Sequence, residues 1–169
     1  MGGECAFFQA DLSVPEAAEA LVKSVLERFG RIDVLVNNAG EMMSAPVIKL
    51  EDSMLDETLT VHLAAAFRCS RACLPGMIER GWGRIINMTS QAAYTGSANN
   101  AHYAAAKAGL AGLTYSLTKE VAAAGVTVNM VAPGRILTEL IIANLEGRQE
   151  EWLKQTPARR FGQPEEVAA

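Results

Sequence analysis

Arg84-Ile-Ile-Asn-Met-Thr-Ser90, with Ala101-His-Tyr-Ala-Ala-Ala-Lys-Ala-Gly109 ten residues further on, decides how this chain folds. The first stretch holds an apolar run of strand length, Ile85 to Met88, that stops at polar Thr89 and Ser90. The second opens an alanine-rich helix expected from about Ala101 to Ala124 and ended by Gly125. Another apolar run, Val126 to Val131, follows that glycine at once. Strand, long helix, strand is the pattern of a βαβ unit, and it recurs upstream. Ala6 to Ala10 reads as a short strand ending at Asp11, and Ser13-Val-Pro-Glu16 as a capping box with an early proline. Ala18, Leu21, Val22, Val25, Leu26 and Phe29 then recur on one helical face until Gly30. Ile32 to Val36 is a continuous apolar strand, as in a parallel sheet buried on both faces. Residues 51–80 read as helical with a break at Pro75-Gly76, and the chain beyond Pro133 as helical pieces interrupted by Pro157 and Pro164. This alternation predicts an α/β fold: a doubly wound, Rossmann-like parallel sheet with right-handed crossovers, in one domain over 1–169.

Composition narrows the partners. Half the residues are apolar and a fifth charged, as in ordinary globular proteins. A net charge of -4 argues against nucleic acid and anionic membranes. No apolar stretch reaches membrane-span length, and the first five residues have neither the basic flank nor the apolar core of a signal peptide. A cytoplasmic location is expected. Cys69 and Cys73 lie one helical turn apart with no His or acidic ligand at matching spacing, and Cys5 stands alone. Packed helix thiols are expected, with no disulfide framework and no metal site.

Tyr103 and Lys107, four residues apart, fall on one helical face within reach of each other. A phenol near pKa 10 is a poor acid–base catalyst at neutral pH, and a fixed positive charge beside it lowers that pKa. Ser90, thirteen residues before the tyrosine, sits where a buried strand ends, the edge at which open α/β sheets bind ligands. The chemistry implied is carbonyl reduction or alcohol oxidation. Tyr-x-x-x-Lys alone is common on helices, but three further signals fall on the same edge. Asp11 ends the first strand, Asn37-Asn38-Ala39-Gly40 follows the second, and Pro133-Gly134 with Thr138 follows the last.

This order of motifs resembles the short-chain dehydrogenase/reductase family over essentially the whole chain. Ile85 to Thr138 is similar in particular to its 3-oxoacyl-[acyl-carrier-protein] reductase-like members. The resemblance implies an NAD(P)-dependent oxidoreductase interconverting a ketone or 3-oxoacyl group and an alcohol, on a small-molecule substrate, in a homo-oligomer (dimer or tetramer). It implies that Tyr103 exchanges the proton, that Lys107 lowers its pKa and binds the nicotinamide ribose, and that Ser90 orients the carbonyl. Asp11 would contact adenine, Asn37, Ala39 and Gly40 would pack against the cofactor, and Pro133, Gly134 and Thr138 would hold its nicotinamide end. His62 occupies the position of an Asn that, in most members, supports a water leading from the lysine to solvent. It is either part of that relay or a helix-packing residue. His102, beside Tyr103 on another helical face, is expected in a loop or the substrate cleft with no proton role.

The family's glycine-rich turn, Thr-Gly-x-x-x-Gly-x-Gly, is absent from this sequence, so the choice between NAD and NADP is open. The expectation is an incomplete fold, with the family's first two strands and last strand missing. In the strand order 3-2-1-4-5-6, Ala6–Ala10 then has no native neighbour and Ile32–Val36 becomes an exposed edge. Either an orphan first strand or its re-pairing with Ile32–Val36 is expected, together with marginal stability. Leu140, Ile141, Ile142, Leu145 and Trp152 read as an apolar cleft cover. Two other functions stay open: a non-catalytic remnant keeping a helical oligomerisation surface, rich in small residues at Ala105, Ala108, Gly109 and Gly112, and a sugar epimerase or dehydratase of the extended type.

Overall fold

The computed structural model describes residues 3–143, 145 and 147–169. Its elements run α1 (Ala17–Phe29), β1 (Val34–Asn37), α2 (Asp52–Leu59), a π-helical turn (Thr60–Ala64), α3 (Ala65–Glu79) and β2 (Gly83–Met88). Then come α4 (Ala92–Thr95), α5 (Ala101–Val121), β3 (Val126–Val131), α6 (Glu139–Ala143), α7 (Gln149–Gln155) and α8 (Pro164–Ala168). The three strands are parallel and lie in sequence order, with Leu35 beside Ile85 and Ile85 beside Val128. This is a Rossmann-like sheet flanked by helices, with part of the family fold present.

One face of the sheet carries the core. Ile85, Val126 and Val128 pack with Ala18 and Val22 of α1, Cys69, Cys73 and Met77 of α3, and Leu117 and Val121 of α5. Because side chains alternate along a strand, the intervening residues turn to the opposite face, where Val34 and Val36 are about half exposed. The continuous apolar run of Ile32–Val36 therefore meets helices on one side only. A 3-10 turn, Ala122–Ala124, closes α5, and Gly125 at φ 76° turns the chain into β3.

Three local expectations are corrected. Ala6–Ala10 forms no strand; Phe7 is 89% exposed, and Phe8 meets Phe29 edge-on. A strand exists only where its N–H and C=O groups find a ladder, and β1 pairs with β2 alone. The capping box at Ser13–Glu16 does not form either. Asp11 takes Ser13, accepting from its N–H at 3.0 Å and its hydroxyl at 2.6 Å, so α1 starts at Ala17 without a side-chain cap. A capping box exists instead at Gln163 and Glu166, opening α8. Finally, α3 continues through Pro75; the irregularity in that long helical stretch is the π-turn.

Candidate active site

The loops after the strands and the start of α5 enclose a cleft of about 820 Å³. It is lined by Gly40, His62, Ser90, Tyr103, Lys107, Pro133, Gly134 and Thr138 among the residues singled out from sequence. Asp11 is engaged in its turn with Ser13, and Asn37 and Ala39 border a smaller cavity behind. Sequence reasoning missed Glu41, Met42, Ile86 and Met88, which also line the cleft, as does Asn38 of the Asn37–Gly40 motif. The alternation of the strands could have flagged Ile86 and Met88, which share the face away from the helices. Ile141, from the expected cleft cover, lines the cleft, whereas the side chain of Leu140 lies outside the described residues.

Lys107 reaches the end of β2, where its ammonium donates to the Met88 carbonyl at 2.7 Å. It also stands 5.7 Å from the Tyr103 ring centroid. Burial pulls the lysine down to about 8. The expected depression of the Tyr103 phenol is not what the geometry produces. Burial pushes that phenol above its ordinary value, and the Ser90 hydroxyl draws it partway back. Desolvation of the buried phenol outweighs the Ser90 hydrogen bond. Ser90 Oγ also accepts the Ala92 N–H at 3.2 Å, fixing the serine at the mouth of α4.

His62 sits in the π-turn, where the extra residue swells the helix. The side chain is 3% exposed and meets Tyr103 edge-on, with centroids 5.2 Å apart. Its Nε2 lies 3.0 Å from the Glu41 carbonyl and 3.3 Å from the Glu41 N–H, so it donates to the first when protonated and accepts from the second when bare. Gly40 is the residue that lets this ring in: a Cβ there would stand 2.6 Å from His62 Cε1. Burial first, then the Lys107 charge, hold His62 down at about 4. His102 is a correction to the expected loop or cleft position: it is 3% exposed within α5 and does not line the cleft. Beneath the site a chain of buried polar contacts crosses the sheet, Asn37 donating to Asn87 at 2.8 Å and Asn87 to Thr114 at 2.9 Å.

The 3-oxoacyl-[acyl-carrier-protein] reductase of Vibrio cholerae serotype O1 is 42% identical over 155 residues, covering 92% of this chain and 64% of that protein. The corresponding reductase of Synechocystis is 41% identical over 167 residues, covering 99% of this chain and 66% of that protein. The chain thus spans just under two thirds of these relatives' length. A solved structure from Beutenbergia cavernae, provisionally named an NAD(P) dependent gluconate 5-dehydrogenase and holding NADP at low occupancy, superposes with a TM-score of 0.87 at 39% identity. It is matched over 92% of this chain and 63% of its own. The short chain dehydrogenase family model matches residues 1–149. With sequence, sheet and strand-end motifs all in agreement, this chain belongs to the short chain dehydrogenase family.

Proposed function

We propose that this chain carries the proton-handling site of an NAD(P)-dependent oxidoreductase that interconverts a ketone, 3-oxoacyl groups included, with an alcohol. The observation that carries the reading is the Tyr103 phenol on the wall of one cleft with Ser90, Lys107 and His62 around it. A phenol pushed upward by burial stays protonated at neutral pH, so Tyr103 is poised to give its proton to a carbonyl oxygen. Ser90 adds a second hydroxyl to hold that oxygen, and Lys107 brings positive charge to the same wall as negative charge develops. His62, neutral at this pH, can accept a proton on one ring nitrogen while releasing one from the other, which suits a relay.

A bound nicotinamide cofactor, NAD or NADP, would supply or accept the hydride. The residues present fit its nicotinamide end: Tyr103, Lys107, Pro133, Gly134 and Thr138 share the cleft, and the Lys107 ammonium lies on its wall. They do not include a glycine-rich turn for the pyrophosphate. All three cysteines are free and burial pushes the Cys73 thiol up to about 12, so it serves as an unreactive packed thiol; a cytoplasmic setting is part of the same proposal.

The test is consumption of NADH or NADPH with acetoacetyl-CoA, comparing the chain with Tyr103→Phe. Loss of at least about a hundredfold in turnover is expected; equal turnover would sink the reading. A second reading, a non-catalytic protein using α3 and α5 as an association surface, draws on exposed Phe67 and Tyr115. Absence of binding to either cofactor would leave that reading in place. Homo-oligomer formation belongs to both.

A further inference from the structure

Lys107 differs from the other lysines of the chain in where the fold puts its amine. Lys23, Lys49, Lys119 and Lys154 are exposed, whereas Lys107 is 5% exposed and lies on the cleft wall. It makes no ion pair among the described residues. Its Nζ donates to the Met88 carbonyl at 2.7 Å, a neutral acceptor that an uncharged amine keeps with one N–H. The lone pair of that amine is then left for the cleft. Tyr103 stands beside it, its ring centroid 5.7 Å from Nζ, with Ser90 and the His62 imidazole on the same wall. Ile86, Met88 and Val131 make the neighbouring wall apolar. Such surroundings favour a bare amine over an ammonium, and burial brings Lys107 down to about 8. A desolvated lysine of this kind is a nucleophile toward carbonyl carbon.

We infer that Lys107 is also a covalent carbonyl-binding site, its amine condensing with a ketone in the cleft to form an imine. The reaction is distinct from hydride transfer and needs no nucleotide. The nitrogen lone pair forms the N–C bond while the C=O pair moves to oxygen, which takes the Tyr103 proton. The phenolate recovers a proton from the nitrogen, leaving a carbinolamine. The nitrogen pair then expels the hydroxyl, which departs as water with the Tyr103 proton. The last N–H proton returns to the phenolate, and the product is a neutral imine. One water is released, Tyr103 ends as it began, and nothing is oxidised or reduced. Ser90, whose hydroxyl shares the wall with the phenol, holds the oxygen until it leaves.

The purified chain is incubated with 2-butanone and sodium cyanoborohydride, without nucleotide. The borohydride delivers hydride to the imine carbon and fixes the adduct as a stable secondary amine, which proteolysis and mass spectrometry assign to a residue. The α-amino group of the same chain is the internal reference, since its ordinary value near 7.7–8.0 gives it the basicity of Lys107 without the site. Alkylation at Lys107 is expected to run at least about tenfold faster than at the α-amino group or the exposed lysines. Tyr103→Phe should slow it by about tenfold or more while leaving the exposed lysines unchanged. Labelling of Lys107 no faster than the α-amino group, or a rate that Tyr103→Phe leaves as it was, overturns the inference. Hydride transfer is judged by NADH or NADPH consumption, so a trapped imine without turnover, or turnover without a trapped imine, separates the two readings.

Discussion

His62 sits between two environments that act on it in the same direction, since burial and the Lys107 charge both oppose its protonation and set it at about 4. In the unfolded chain the imidazole titrates near 6.5. Between these values the unfolded state binds the extra proton, so stability is complete above about 6.5 and falls as the pH drops toward 4. The loss from this residue is on the order of 3 kcal/mol. Urea denaturation across that range should show the loss in the wild type and a flatter profile in His62→Asn. Lys107 behaves alike at higher pH. Its folded value of about 8 lies below the unfolded 10.5, so its buried charge weakens the fold below pH 8 and the penalty is relieved between those values. Lys107→Met should remove that rise in stability with pH. That Ser90, Tyr103 and Lys107 meet in one cleft was legible because spacing and strand ends are sequence properties. The direction of the tyrosine's shift was not, because it depends on how far the fold buries the phenol.

Elements were legible where hydrophobic period and a terminating glycine agreed, as in α1, α5 and β3. Gly125 shows why such a terminator is obligatory: φ is +76°, and an added Cβ would come within 2.1 Å of the Gly81 carbonyl oxygen. Gly125→Ala is expected to destabilise by roughly 3 kcal/mol or more, since both strain and a backbone clash result. Gly40→Ala meets a side chain, with 2.6 Å to His62 Cε1, so the ring must shift and the cost is about 1–3 kcal/mol. Thermal melting should rank the two in that order, and a displaced His62 resonance should accompany only Gly40→Ala. The π-turn had no signature in Thr60–Ala64, because its extra residue is dictated by what the helix packs against. Ala6–Ala10 is irregular for a like reason: the segment is apolar, yet ladder formation belongs to the partner as much as to the segment.

At the scale of the whole molecule, three helices share one face of the sheet while Val34 and Val36 stand about half exposed on the other. An apolar sheet face with an open edge strand favours self-association. The purified chain should therefore sediment as a concentration-dependent mixture, and Val34→Lys should shift it toward monomer while changing stability by no more than about 0.5 kcal/mol. A sheet of native-like stability that remains monomeric at high concentration would contradict this. The contact chain from Asn37 through Asn87 to Thr114 continues to the Leu110 carbonyl at 2.8 Å, tying two strands to α5 directly under the cleft. On the other side of the cleft, α8 contains no buried residue. The cleft thus has one unyielding jaw and one that can be pushed aside. Amide exchange should be slowest at β2 and fastest beyond Gly147, and substrates of different bulk should be accommodated by displacement of α8 while the sheet beneath Tyr103 stays in register.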